Sequence, residues 1–166
     1  MRAPLLPAED LNGGLLAAQD RTGDFRHRPP REAPAAHFAR DGVRNYQARN
    51  LLCDGVQLGD QAFLYHSSCA APGIVGIVTV VRAGYPDVSA FDRRNKHFDA
   101  DSDPQSPRWY AIDVRLQRRC QRIITLEELR AHAHGKLRDL TLLRRGNRLS
   151  VMPVSDAHWQ FIRSLE

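Results

Sequence analysis

The sequence predicts an α+β domain, a small twisted β-barrel with short flanking helices. Three observations lead there. Apolar runs of strand length, rich in Val and Ile, recur between turns that contain Gly or Pro. Helical segments are few and short, and each follows a capping residue. The 166 residues are most simply one domain with room for a real core.

Orderly signals begin at Asp41. Asn45 caps a helix running to about Cys53, with Ala48, Leu51 and Leu52 facing inward. Gly55 and Leu58-Gly59-Asp60 turn the chain into a strand, Gln61 to Ser67. A hairpin-like connection, Ser68 to Gly73, leads to the next strand, Ile74 to Arg82, where Val75, Val78, Val80 and Val81 suit a half-buried pleated surface. Residues 84 to 107 read as a long loop holding Pro86, Pro104 and Pro107, and loops of that length are usually functional or mobile. Trp109 to Leu116 alternates as a strand, and Arg119 to Ile124 continues it. Thr125 caps a short helix through Arg130, with Glu128 completing a capping box. Leu149 to Val154 forms the last strand, and Ser155 opens a C-terminal helix with Trp159, Ile162 and Leu165 on one face.

The formal net charge is +5, and it is uneven. Residues 108 to 148 hold eleven Lys or Arg against four acids, an excess of seven, as a polyanion partner would favour. A solvated basic face is the plain alternative. Arg outnumbers Lys 22 to 2, which a GC-rich genome explains as well as function does, so charge is supporting evidence only. Residues 87 to 103 lean acidic, with five Asp against Arg93, Arg94 and Lys96. Cys53, Cys69 and Cys120 are odd in number and widely spaced, which predicts neither a disulfide framework nor a zinc site. Reduced thiols fit a cytoplasmic protein. The longest apolar stretch, Ile74 to Val81, is too short to span a membrane. No cofactor is implied. Asp99, Asp101 and Asp103 start like a calcium loop, but Pro104 stands at its sixth position and Tyr110 where the bidentate Glu belongs. His132 and His134 read as a helix end rather than a metal site.

Four motifs, in order, carry a resemblance: Gly42-Val43-Arg44-Asn45-Tyr46-Gln47-Ala48-Arg49-Asn50, Phe63-Leu64-Tyr65-His66-Ser67-Ser68-Cys69, Pro72-Gly73-Ile74-Val75-Gly76-Ile77, and Arg144-Arg145-Gly146-Asn147-Arg148-Leu149-Ser150-Val151-Met152-Pro153-Val154. Together they resemble the EVE domain family, a PUA-like barrel related to YTH and ASCH domains, over residues 41 to 166. The resemblance implies a non-enzymatic pocket for one modified base, such as methyl- or hydroxymethylcytosine, in DNA. RNA is the alternative target, and a nucleotide metabolite or other small molecule is the alternative ligand.

By that resemblance Val43, Arg44 and Asn45 lie in a loop lining the pocket, although Asn45 also reads simply as a helix cap. The family usually places an aromatic just before Asp-Gly-Val-Arg-Asn; here Phe38 stands three residues before Asp41. Tyr65, His66 and Ser67 come to the pocket next, with Ser67 as a base-edge partner; in a strand, Tyr65 and Ser67 face one side and His66 the other. The plain alternative is Tyr65 as core and His66 hydrogen-bonded at the strand end. Trp109 is either a pocket wall or core. Leu149 and Ser150 complete the pocket. Arg144, Arg145 and Arg148 flank Gly146 in a basic turn suited to phosphate, with a solvated turn as the plain alternative. For catalysis, Ser67, Ser68 and Cys69 lie beside His66, but there is no nucleophile elbow and nothing near in sequence to orient a base.

Residues 1 to 40 carry half the prolines and no clean period, which predicts a disordered arm. EVE domains usually open on a strand like Tyr-Trp-Leu-Leu-Lys-Thr-Glu-Pro, then Gly-Asp-Phe. Gly23-Asp24-Phe25 is present, but Leu15 to Thr22 precedes it. One codon choice for those residues, cta ctg gct gct caa gac cga acc, reads one nucleotide on as Tyr-Trp-Leu-Leu-Lys-Thr-Glu. A frameshift upstream of Gly23 is the expectation, and Arg26-His27-Arg28-Pro29-Pro30 is a second such patch. Such a chain would lack an edge strand and one pocket wall.

Overall fold

A computed structural model describes residues 14 to 18, 37 to 67 and 69 to 166, the first group by its backbone alone. Six strands form one sheet: β1 (Gly14–Ala18), β2 (His37–Arg40), β3 (Gln61–His66), β4 (Gly73–Pro86), β5 (Tyr110–Thr125) and β6 (Val151–Val154). Their order across the sheet is β2-β5-β4-β3-β1-β6. The pairings are antiparallel except that of β1 with β6. Among the described residues three α-helices accompany it, α1 (Tyr46–Asn50), α2 (Leu126–Ala131) and α3 (Asp156–Ser164).

The fold is therefore mixed α/β. Among the described residues no ladder joins the edge strands β2 and β6, so closure into a barrel is not observed. Both edges are only four residues long, yet Arg40 from one and Met152 from the other line the same groove. The sheet curls until its edges converge on that groove and stops there.

The two faces of the sheet carry separate cores, as the period of 2 dictates. Along β3, Phe63 and Tyr65 join Ile74, Ile124, Leu129 and Trp159 on one face, where Phe63 stacks on Trp159 at 3.9 Å between ring centroids. Ala62 and Leu64 join Val43, Ala48, Leu52, Val78 and Val114 on the other. Register shifts break the ladder between Leu64 and Tyr65 on β3 and at four places along the β4–β5 pair. Such bulges bend and twist a sheet and re-aim side chains.

The caps act as the sequence requires. Asn45 accepts from the amides of Gln47 and Ala48, Thr125 from Glu128 and Ser155 from His158. The helix after Asn45 is α-helical only to Asn50 and continues as a π-turn over Leu51–Gly55. Trp159 and Ile162 of α3 are buried, and Leu165 packs beside them. Glu128 follows a different course from a capping box: its carboxylate takes two hydrogen bonds from Arg122, at 2.7 and 2.6 Å.

Several expectations need correction. β4 runs on to Pro86, so the long connection begins later than residue 84. Trp109 precedes β5, a single strand through Thr125 whose bulges absorb the irregular stretch near residue 117. The first forty residues supply two strands, because each meets a partner that it completes. β2 pairs with β5, Phe38 opposite Val114. β1 lies between β3 and β6, Gly14 opposite Tyr65 and Leu15 opposite Val151. The opening strand expected to be missing is thus occupied by the chain as written, and β1 is interior rather than an edge. Gly23-Asp24-Phe25, Arg26 to Pro30 and Ser68 lie outside the described residues.

Candidate nucleic-acid interface

A groove of about 720 Å³ opens at the meeting of the sheet edges, within the ~300–1,000 Å³ usual for ligand clefts. Tyr65 and Ser67 enter it from the end of β3, Leu149 and Ser150 from the approach to β6, and Met152 from β6 itself. Pro72 and Leu126 close one side, tied by a hydrogen bond from the Leu126 amide to the Pro72 carbonyl at 2.8 Å. The turn from Arg144 to Asn147 borders another side. Asn147 builds that turn: its amide donates to the Arg144 carbonyl at 3.2 Å, and its side-chain oxygen accepts from Leu149 N at 3.0 Å. Gly146 stands there at φ 75°, a left-handed conformation that disfavours a side chain.

Among the described residues, five arginines line the groove, Arg40, Arg130, Arg144, Arg145 and Arg148, and no carboxylate does. None of the five makes an ion pair with a described residue. By contrast, two arginines of β5 are neutralised. Arg118 pairs with Glu166 at 2.6 Å and Arg122 with Glu128 at 2.6 Å. The five groove arginines thus keep their charge available to a polyanion. Tyr65 is buried, and burial raises its hydroxyl pKa above the ordinary value despite the opposing charge of Arg130. It stays a neutral phenol, able to donate and to accept.

The structure thus brings together Tyr65, Ser67, Leu149, Ser150, Arg144, Arg145 and Arg148, as grouped by the sequence. Other residues grouped with them lie elsewhere. Phe38 is half-buried against the second core, and Val43 is buried within it. His66 points away from Tyr65 and Ser67, as strand alternation requires, and its Nε2 is buried without a hydrogen-bond partner.

Arg44 is a clasp. Its Nη1 donates to Asp87 at 2.7 Å, its Nη2 to Ser89 Oγ at 3.1 Å and its Nε to the His97 carbonyl at 2.8 Å. Asp87 also accepts from Gly42 N at 2.9 Å and from both the amide and hydroxyl of Ser89. Burial alone would raise the Asp87 pKa; the hydrogen bonds from Arg44, Ser89 and Gly42 outweigh it and hold the carboxyl below its ordinary value. Gly42 is needed at φ 69°, where a Cβ would stand 2.5 Å from the His97 ring. Trp109 is buried in the same assembly. Its Nε1 donates to Asp99 at 2.5 Å, and Tyr46 lies over its ring at 5.0 Å. Asn45 caps α1.

Sequence reasoning did not place Arg40, Arg130, Pro72, Leu126, Leu142, Leu143 or Met152 at the groove. Arg40 had a signal, since it holds the place just before Asp41 where an aromatic was expected.

The chain matches the EVE domain family over residues 34–165. It belongs to the EVE domain family. Thymocyte nuclear protein 1 of Mus musculus is 46% identical over 132 residues, covering 76% of this chain and 58% of the mouse protein. The EVE chain thus spans under two thirds of that relative's length. A solved Pseudomonas putida protein is 43% identical with a TM-score of 0.74, covering 78% of this chain and 85% of its own. Human THYN1, solved in complex with 5-methylcytosine-containing DNA, is 39% identical with a TM-score of 0.74 and 78% coverage of each chain. Among the described residues no helix is long and apolar enough to cross a membrane, and no cluster of His, Cys, Asp or Glu is placed to hold a metal.

Proposed function

We propose that this EVE domain binds DNA and receives one modified base, 5-methylcytosine or a close relative, in the arginine-rimmed groove without catalysing a reaction. One observation carries the reading: a concave site lined, among the described residues, by a buried phenol, two serines and five arginines without an acid, in a chain similar to a protein solved with 5-methylcytosine-containing DNA. The convergence of β2 and β6 on that site supports a PUA-like barrel arrangement around it.

The energetics assign the parts. Extruding a base costs a few kcal/mol, and stacking returns about 1–3 kcal/mol. The two nearly cancel, so exposed Arg130, Arg144, Arg145 and Arg148 hold the strand by its phosphates. Tyr65, Leu149 and Met152 supply the apolar walls, while Ser67 and Ser150 address the base edge. Burying the 5-methyl contributes about 0.8 kcal/mol, roughly a fourfold preference. Non-enzymatic binding is supported by the similarity to a protein solved in complex with 5-methylcytosine-containing DNA.

The test is a fluorescence-anisotropy titration of the full chain against matched oligonucleotides holding cytosine, methylcytosine or hydroxymethylcytosine, with an RNA counterpart, at low and moderate salt. Preference for one modified DNA that persists as salt rises is expected. Uniform binding that vanishes with salt would reduce the groove to a basic surface.

A further inference from the structure

Among the five groove arginines one is drawn out of water. Arg130, Arg144, Arg145 and Arg148 are exposed, whereas Arg40 is half-buried, and its Nε is buried with no hydrogen-bond partner. Burial lowers its pKa, and the neighbouring Asp41 opposes this without forming an ion pair. A guanidinium does not shed its proton under ordinary conditions. The unpartnered Nε carries a desolvation cost in the free protein; the terminal Nη1 and Nη2, which are not closed off in this way, are the N–H groups that an acceptor entering the groove can reach. The rim arginines are placed for phosphates; Arg40, set deeper on the last residue of β2, is placed for what enters between them.

Resting on the base-binding reading above, we propose that Arg40 determines which base the groove accepts, by donating two parallel N–H groups to adjacent acceptors on the base edge. Cytosine presents N3 and O2 side by side, and a 5-methyl leaves both free. Thymine carries the same 5-methyl but places an N3–H between its carbonyls, so the fork meets a donor. A methyl-lined wall does not separate these two bases; a forked cation does, because its donor geometry is fixed. Arg40 is thus a specificity-determining residue that rejects the deamination product of methylcytosine.

The experiment compares single-stranded oligonucleotides, in which no base pair must be opened, carrying one methylcytosine or one thymine at the same position. The full-length chain, Arg40→Met and Arg40→Lys are titrated by anisotropy and melted thermally. The wild type favours methylcytosine over thymine by about tenfold, the range of one good bidentate contact. Arg40→Met brings the ratio close to one and melts no lower than the wild type. Arg40→Lys keeps the cation but loses most of the ratio, because an ammonium is a point donor. An unchanged ratio in both variants overturns the proposal. So does equal weakening for both oligonucleotides with a flatter salt dependence, which would make Arg40 a phosphate contact. A wild type that separates methylcytosine from cytosine but not from thymine overturns this assignment and leaves the base-binding reading intact. One that separates none of them overturns both.

Discussion

Arg40 and Arg44 stand four residues apart on either side of Gly42, and the fold treats them in opposite ways. Arg44 spends its guanidinium on Asp87, Ser89 and the His97 carbonyl, and Asp87 is only 1% exposed. Arg40 reaches the groove with a buried Nε that meets nothing. A satisfied buried cation fixes a loop; an unsatisfied one carries a cost in the free protein. The left-handed turn at Gly42 separates the two roles, aiming one arginine at residues 87 to 97 and leaving the other on the sheet edge.

Breaking the clasp has the largest effect. Arg44→Met strands the Asp87 carboxylate, and a broken buried pair costs about 3–5 kcal/mol. Denaturant unfolding reads it. A loss no greater than that of Arg40→Met would erase the contrast between the two arginines.

Acid attacks the same clasp. The Asp87 pKa lies lower in the folded chain than in the unfolded one, so its contribution is present above the unfolded value and lost as pH falls through the folded one. Wild-type stability should therefore fall below about pH 4, while Asp87→Asn, weaker at neutral pH, should show a shallower acid dependence. Urea melts along a pH series measure both.

The chain's own residues show what a sequence discloses. The caps at Asn45, Thr125 and Ser155 and the alternation of β3 were readable because they depend on neighbours in sequence. So were the residues of the turn from Arg144 to Arg148. The two early strands were not, since Gly14–Ala18 and His37–Arg40 are made strands by β3, β6 and β5 rather than by their own pattern. Arg44 was expected in the pocket for a similar reason. Nothing local reveals that Asp87, 43 residues on, claims it.

Smaller effects sharpen the groove side. Removing Arg144, Arg145 and Arg148 one at a time should weaken binding to every DNA alike and reduce the salt slope by about 0.9 for each true phosphate contact. Titrations at several salt concentrations report this, and a change in base preference would place that arginine at the base instead. Asn45→Ala should cost about 1 kcal/mol as a lost cap and leave base preference untouched. A change in preference without loss of stability would return Asn45 to the pocket.

The most direct test places 2-aminopurine beside a single methylcytosine in duplex DNA and follows its fluorescence as the protein is added. If the groove takes the base out of the stack, emission rises on binding, and the rise is larger than with unmodified cytosine at the same site. Saturating binding with unchanged emission would mean that the base stays in the helix, and the account of the groove would be wrong.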